Sequence, residues 1–317
     1  MSRTGFYTHP DCQRHDMGRG HPECPERLSA IRDRLLATGI DQGLIEQVAP
    51  LASEDDVLLA HTTRLVEAVH DLNREIQQQA TQGGRALAHI DPDTALCEHS
   101  YNAALRCVGA ALAATDAVLG GELDNAFCAI RPPGHHATRS RSMGFCIFNT
   151  VAIAVLHALE RHGLERVAVI DFDVHHGNGT EDILAGDERV LMCSTFQHPF
   201  YPYCGTEAVA PNMVNVPVPA YTVGSEIRKL MEKHWFPSLE AFNPQLIVIS
   251  AGFDAHREDD LGQLGMTEAD YRWITEQLMA IADRHCQGRI VSCLEGGYNL
   301  SALGRSVEAH LRALARL

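Results

Sequence analysis

Five short runs of apolar, largely β-branched residues constrain the fold of this chain more than any other feature: Ala126–Ile130, Arg166–Ile170, Val190–Cys193, Gln245–Ser250 and Arg289–Leu294. Strict alternation would mark strands with one wet face. Runs without polar interruption mark strands covered on both faces, as in a parallel sheet held between helices. Longer helical patterns separate the runs, at Pro25–Thr38, Thr63–Gln79, Tyr101–Leu119, Phe148–Arg161, Ser225–Ala241, Thr267–Cys286 and Leu300–Leu317. Such alternation predicts an α/β fold with a central, mainly parallel sheet and helices on both faces.

Two helix starts carry local signals: Thr267 with Asp270 three positions on, and Pro25 just inside the first helix. No repeat, low-complexity linker or charge run marks a boundary, so residues 1–317 read as a single domain. The Gly- and Pro-rich stretches His9–Pro25, Arg131–Gly144, His198–Pro219 and Gly252–Gly265 predict long loops. In a parallel sheet, the loops that leave the carboxyl ends of the strands gather on one side and build the binding site.

Charge narrows the partners. With 26 Lys+Arg against 41 Asp+Glu, a net charge of −15 and no basic run, the chain lacks the footprint that binding a phosphate backbone requires. Nucleic acid is not an expected partner, and a cationic substrate is compatible. Ten scattered cysteines form no CxxC pair, and several lie inside apolar runs such as Phe127-Cys128-Ala129, which reads as reduced core thiols. The start, Met1-Ser2-Arg3-Thr4-Gly5-Phe6, has no apolar core of a leader, and nowhere do about 18 uncharged apolar residues run together. The expectation is a cytoplasmic chain without a membrane anchor.

Chemistry concentrates where the apolar runs end. Val167-Ala168-Val169-Ile170 leads into Asp171-Phe172-Asp173-Val174-His175-His176-Gly177-Asn178. In an extended segment, Asp171, Asp173 and His175 face one side while Phe172 and Val174 face the other. A lone Asp-x-Asp is as readily a helix cap; two histidines and two glycines beside it turn the balance toward a metal. The run ending at Ser250 continues into Ala251-Gly252-Phe253-Asp254, adding a carboxylate at the same sheet edge. Two carboxylates and one imidazole with an open position suit catalytic Zn²⁺, and oxygen-rich ligation also admits Fe²⁺.

A third run ends in Arg131-Pro132-Pro133-Gly134-His135-His136, and a fourth in Glu295-Gly296-Gly297-Tyr298. Water activated at a metal needs a base, and a leaving amine needs an acid; neutral imidazole serves both near pH 7. Asp171 and Asn178 are plausible partners to hold the imidazole tautomers. A tyrosine hydroxyl beside a metal can donate to a carbonyl that becomes an oxyanion. Taken singly, these are a loop histidine pair and a packing aromatic; their common place at strand ends favours chemistry.

In this order, together with Gly144-Phe145-Cys146-Ile147-Phe148-Asn149 and His21-Pro22-Glu23-Cys24-Pro25-Glu26-Arg27-Leu28, the motifs resemble the metal-dependent histone deacetylase family, including bacterial members and acetylpolyamine amidohydrolases. The resemblance runs from near Tyr7 to the C-terminus and implies the arginase–deacetylase fold. It implies Asp173, His175 and Asp254 as zinc ligands, His136 as general base and acid, His135 as its electrostatic partner, and Tyr298 as the carbonyl-polarising donor. Asp171 then orients His135 and Asn178 orients His136; Asn at this last position is like the class II branch. Gly144 and Phe145 would line an acyl-lysine tunnel, with Tyr201 opposite, where the family usually has Phe. A structural potassium ion would use Asp171, Asp173, His175 and Ser194. Leu261 stands where the polyamine-specific branch carries Glu, which favours acetyl-lysine in a peptide or protein over an acetylated polyamine. A non-catalytic acyl-lysine binder and binuclear hydrolysis fit the residues less well. The native metal, acyl length and oligomeric state stay open at this level.

Overall fold

The computed structural model describes residues 2–81 and 86–317. Among them are ten strands: β1 (Thr4–Thr8), β2 (Leu44–Val48), β3 (Ala88–Asp91), β4 (Thr94–Leu96), β5 (Asn125–Cys128), β6 (Val167–Asp171), β7 (Val190–Gln197), β8 (Met213–Val218), β9 (Leu246–Ala251) and β10 (Ile290–Leu294). Eight form one sheet in the order β2-β1-β5-β10-β9-β6-β7-β8, with every pairing parallel. β3 and β4 make a separate antiparallel hairpin. The helices are α1 (Pro10–Arg14), α2 (Glu26–Thr38), α3 (Glu54–Val57), α4 (Thr63–Ala80), α5 (Ser100–Leu119), α6 (Thr150–Glu160), α7 (Asn178–Leu184), α8 (Gly224–Phe242), α9 (Glu268–His285) and α10 (Leu300–Ala315).

The five apolar runs are β5, β6, β7, β9 and β10, and every residue in these strands is buried. They need cover on both faces. One layer comes from α5 and α6, the other from α8, α9, α10 and α2. Each fully buried Val or Ile contributes about 1.5–3 kcal/mol, so the centre of the sheet is the rigid base on which the loops stand. Helix α5 is long and apolar enough to cross a membrane by length and composition, but most of it is buried against β5, β10 and neighbouring helices. It is a core helix.

The structure corrects several local expectations. The stretch His9–Pro25 contains α1, whose first turn is tied by the Asp11 N–H donating to His9 Nδ1 at 3.0 Å. Pro25 is the N-cap of α2, one residue outside the helix. The stretch His198–Pro219 contains β8, an edge strand that tolerates Pro217. The other edge strand, β2, is half exposed, so its residues never needed a continuous apolar run. The Thr267 start forms as expected: Asp270 Oδ2 accepts from both Thr267 N and Thr267 Oγ1 at 2.8 Å.

The strand order places the site. From β6 the chain moves outward through β7 to β8, then returns to β9 on the other side of β6 and continues to β10. The gap between the carboxyl ends of β6 and β9 is therefore a topological switch point, where loops diverge and leave a crevice.

Candidate active site

At that crevice the chain leaves β6 at Asp171 and β9 at Ala251. His175 Nδ1 lies 3.0 Å from Asp173 Oδ1 and 3.3 Å from Asp254 Oδ2. Backbone groups hold the two carboxylates: Val174 N–H donates to Asp254 Oδ1, and Gly296 N–H to Asp173 Oδ2, each at 2.9 Å. Glycine is obligatory beside them, because a Cβ would stand 2.1 Å from Asp173 Oδ2 at Gly252 and 2.0 Å from Asp254 Oδ2 at Gly296. Asp254 Oδ2 is buried and receives no hydrogen bond. Burial and the neighbouring Asp173 charge push the Asp254 carboxyl up to about 7. Two buried carboxylates and one imidazole, with an oxygen left over, fit a divalent cation.

The histidine pair is built from the loop after β5. Gly134 N–H and His135 N–H both donate to Glu295 Oε2, at 2.6 and 3.1 Å, which ties this loop to the end of β10. His135 Nδ1 is 3.0 Å from Asp171 Oδ2, and His136 Nδ1 is 2.8 Å from Asn178 Oδ1. The Asn178 amide nitrogen faces Met143 Sδ, so its oxygen is the atom turned to His136. An amide oxygen only accepts, so His136 carries its proton on Nδ1 and leaves the Nε2 lone pair free.

The two imidazoles, 4.0 Å apart between centroids, are driven in opposite directions. Burial lowers both, but the Asp171, Asp173 and Glu295 charges raise His135 well above the usual imidazole range. Burial, then the charges on His135 and His175, hold His136 well below it. The surroundings thus favour a proton on His135 and disfavour one more on His136.

Above them lies a cavity of about 300 Å³ that His136, His175, Gly144, Phe145, Phe200, Tyr201, Leu261 and Tyr298 help to line. Phe145 meets the Tyr298 ring edge-on at 5.8 Å, Tyr201 meets His136 edge-on at 5.1 Å, and Phe200 stacks on His175 at 5.3 Å. At Gly144 (φ 58°) a Cβ would stand 2.7 Å from His136 Cδ2 and 2.8 Å from Tyr201 Oη, so a side chain there would close the passage. Asp93 and Asp260 also face the cavity and make it acidic.

Tyr298 is fixed through its backbone and ring. Asp259 Oδ2 accepts the N–H groups of Tyr298 and Asn299 at 2.6 and 2.9 Å, while Asp259 Oδ1 accepts Leu261 N–H at 3.0 Å. The Arg27 guanidinium sits 4.9 Å over the Tyr298 ring, and Arg27 Nε donates to Gly297 O at 2.7 Å. Burial and the Asp254 charge raise the Tyr298 hydroxyl well above the usual phenol range, so it stays a donor. Beneath, fully buried Glu23 pairs with both Arg27 and Arg131.

The structure thus brings Asp173, His175 and Asp254 to one point, sets His135 on Asp171 and His136 on Asn178, and puts Gly144, Phe145, Tyr201, Leu261 and Tyr298 around one cavity. Ser194, opposite Asp171 in the β6–β7 register, has a buried hydroxyl with no hydrogen-bond partner. Sequence reasoning missed Asp259, Phe200 and Asp93, and gave no role to Glu295 or Arg27. Asp259 stands in the acidic run Glu258-Asp259-Asp260 next to Leu261, and nothing in that run says which acid turns inward. Glu295 and Arg27 stood inside motifs, but nothing in a sequence says that a carboxylate will collect N–H groups from distant loops.

The chain matches known proteins along most of its length. The family model for the histone deacetylase domain matches residues 21–314. A probable deacetylase from Archaeoglobus fulgidus is 38% identical over 305 residues, covering 94% of this chain and 82% of the relative. A histone deacetylase-like amidohydrolase from Pseudomonas aeruginosa is 38% identical over 287 residues, 88% of this chain and 73% of the relative. The polyamine deacetylase HDAC10 from Homo sapiens is 36% identical over 305 residues, 90% of this chain and 44% of its own length. Among solved structures, the HDA15 HD domain superposes with a TM-score of 0.90 at 32% identity, covering 99% of this chain and 88% of that one.

Proposed function

The chain belongs to the histone deacetylase family, and on that premise we propose that it removes the acetyl group from an acetylated primary amine, foremost an acetyl-lysine side chain in a peptide or protein. The observation that carries this reading is the placement of His136, with Nδ1 on Asn178 Oδ1 and Nε2 free, beside His135 on Asp171 and the Asp173–His175–Asp254 set.

Asp173, His175 and Asp254 would hold zinc, or iron(II), and the ion when bound supplies Lewis acidity at the amide carbonyl. The protein's own residues move the protons. His136 Nε2 takes a proton from the attacking water, with Asn178 keeping the ring in the required tautomer. As the carbonyl oxygen gains charge, the Tyr298 hydroxyl donates to it. His136 then returns its proton to the leaving nitrogen, so the amine departs neutral, and the acetyl group leaves as acetic acid that keeps the water oxygen and its second proton and ionises in solution. His135 stays protonated between Asp171 and Asp173 and offsets charge built up beside it. Gly144, Phe145 and Tyr201 bracket the aliphatic stem and exclude water from it. Asp171, Asp173, His175 and Ser194 would hold a potassium ion behind this loop; the orphaned Ser194 hydroxyl supports that reading.

A second substrate has its own support. Asp93 and Asp260 face the cavity, and two carboxylates suit a chain bearing a further ammonium, as in an acetylated polyamine. Against it, Leu261 offers no charge at the position where the polyamine branch has Glu. The test compares kcat/KM of zinc-loaded enzyme on an acetyl-lysine peptide and on an N-acetylated polyamine, in the wild type and in Leu261→Glu. Preference for the peptide that shifts toward the polyamine in the variant supports the reading. Preference of the wild type for the polyamine would overturn the substrate, and hydrolysis of neither would overturn the activity.

A further inference from the structure

Away from the crevice, one other set of three His, Cys, Asp or Glu donors converges among the described residues: Asp116, His157 and His162. Asp116 lies in the last turn of α5, His157 in the last turn of α6, and His162 just beyond it. In a parallel sheet, helix C-termini feed the amino ends of the next strands, here β5 and β6. The cluster is therefore at the opposite end of the sheet from the active site.

Its geometry is unusually focused. Asp116 Oδ1 is 2.7 Å from His157 Nε2 and 2.7 Å from His162 Nε2, and the two rings meet edge-to-face with centroids 5.2 Å apart. A zinc ion with bonds of about 2.0–2.2 Å wants its donors about 3.4 Å apart. Opening these contacts by less than an ångström makes room for the ion, and the solvent side leaves a position for water. Two imidazoles and a carboxylate are ligands that suit zinc, copper(II) and nickel(II).

The surroundings favour a cation as well. Among the described residues no arginine or lysine is paired with Asp116; its recorded ion-pair partners are the two histidines. Glu122 and Asp116 both press charge on Tyr7, so the region is negative within a chain of net charge −15.

We propose that Asp116, His157 and His162 form a second, peripheral site for a divalent transition-metal ion, which clips the C-terminal ends of α5 and α6 together. The site is weaker than the crevice. Coordination through His157 Nε2 puts the ring proton on Nδ1, which is buried and has no acceptor, and ligand histidines without such a partner lose about 10- to 100-fold in affinity. Zinc therefore fills the crevice first and this cluster second.

The experiment is a zinc titration of the full chain already loaded with one equivalent, followed by equilibrium dialysis and by the thermal unfolding midpoint. The wild type takes up a second equivalent that raises the midpoint. His162→Ala, at a half-exposed position outside the active site, keeps the first equivalent and its deacetylase turnover but loses both the second equivalent and the gain in midpoint. Asp116→Asn does the same by an independent change. A wild type that stops at one equivalent, or a second equivalent retained in both variants, would overturn the proposal without touching the catalytic reading.

Discussion

The two histidine–carboxylate clusters use the same residue types and differ in what surrounds them. At the crevice, Asp173 and Asp254 are almost wholly buried, fixed by backbone N–H groups, and one oxygen is left with nothing to accept. At the periphery, Asp116 is about half exposed and spends one oxygen on two ring nitrogens, with water free to take the rest. Burial is what makes the first set expensive without a cation and what holds His136 low, while the Asp171, Asp173 and Glu295 charges raise His135 against that burial. Proximity of ligands alone makes a binding site; proximity in a dry, rigid pocket with fixed tautomers makes a reactive one.

Substitutions on the two sides should separate accordingly. Tyr298→Phe and His136→Ala, read as kcat on an acetylated lysine peptide at unchanged zinc content, are expected to lower turnover about 10²- to 10³-fold or more. His162→Ala should leave it unchanged, and equal losses on both sides would break the comparison. Arg131→Met, which strips a partner from buried Glu23, should cost about 3–5 kcal/mol of stability in urea denaturation. Asp259→Asn should reduce kcat about tenfold, the loss of about one buried hydrogen bond, with KM little altered. Combined with Tyr298→Phe it should add almost nothing, because Asp259 acts through that hydroxyl.

A third setting sharpens the contrast. His310 is fully buried between the neutral hydroxyls of Thr275 and Ser292, and burial pushes it down to about 3. Its folded value lies below the unfolded one near 6.5, so its contribution is intact above about pH 6.5 and is lost as pH falls toward 3. Stability of the wild type relative to His310→Asn should fall by up to about 1.4 kcal/mol per pH unit through that window. A flat difference would mean that a hydroxyl pair can hold a charged imidazole as well as carboxylates do.

What could be read from the residues follows the same physics. The strands β5, β6, β7, β9 and β10 were legible because burial on both faces leaves little room for polar residues. The edge strands β2 and β8, with Glu46, Gln47 and Pro217, carry no such signature. Asp173, His175 and Asp254 were legible because each follows an apolar run directly. Asp259 was not, since Glu258 pairs with Arg305, Asp259 turns inward and Asp260 faces the cavity, three fates for adjacent acids that only the loop's path decides. The hydroxyl of Tyr201 against Gly144 likewise depends on how a loop after β7 folds back.

The most direct test strips the metal and restores one equivalent of zinc, then follows acetate release from an acetyl-lysine peptide by wild type, Asp254→Ala and Tyr298→Phe. The account predicts turnover that returns with zinc in the wild type, a variant at Asp254 that neither keeps the ion tightly nor turns over, and a variant at Tyr298 that keeps the ion and loses turnover. Full activity in the stripped wild type, or undiminished turnover in Tyr298→Phe, would contradict it.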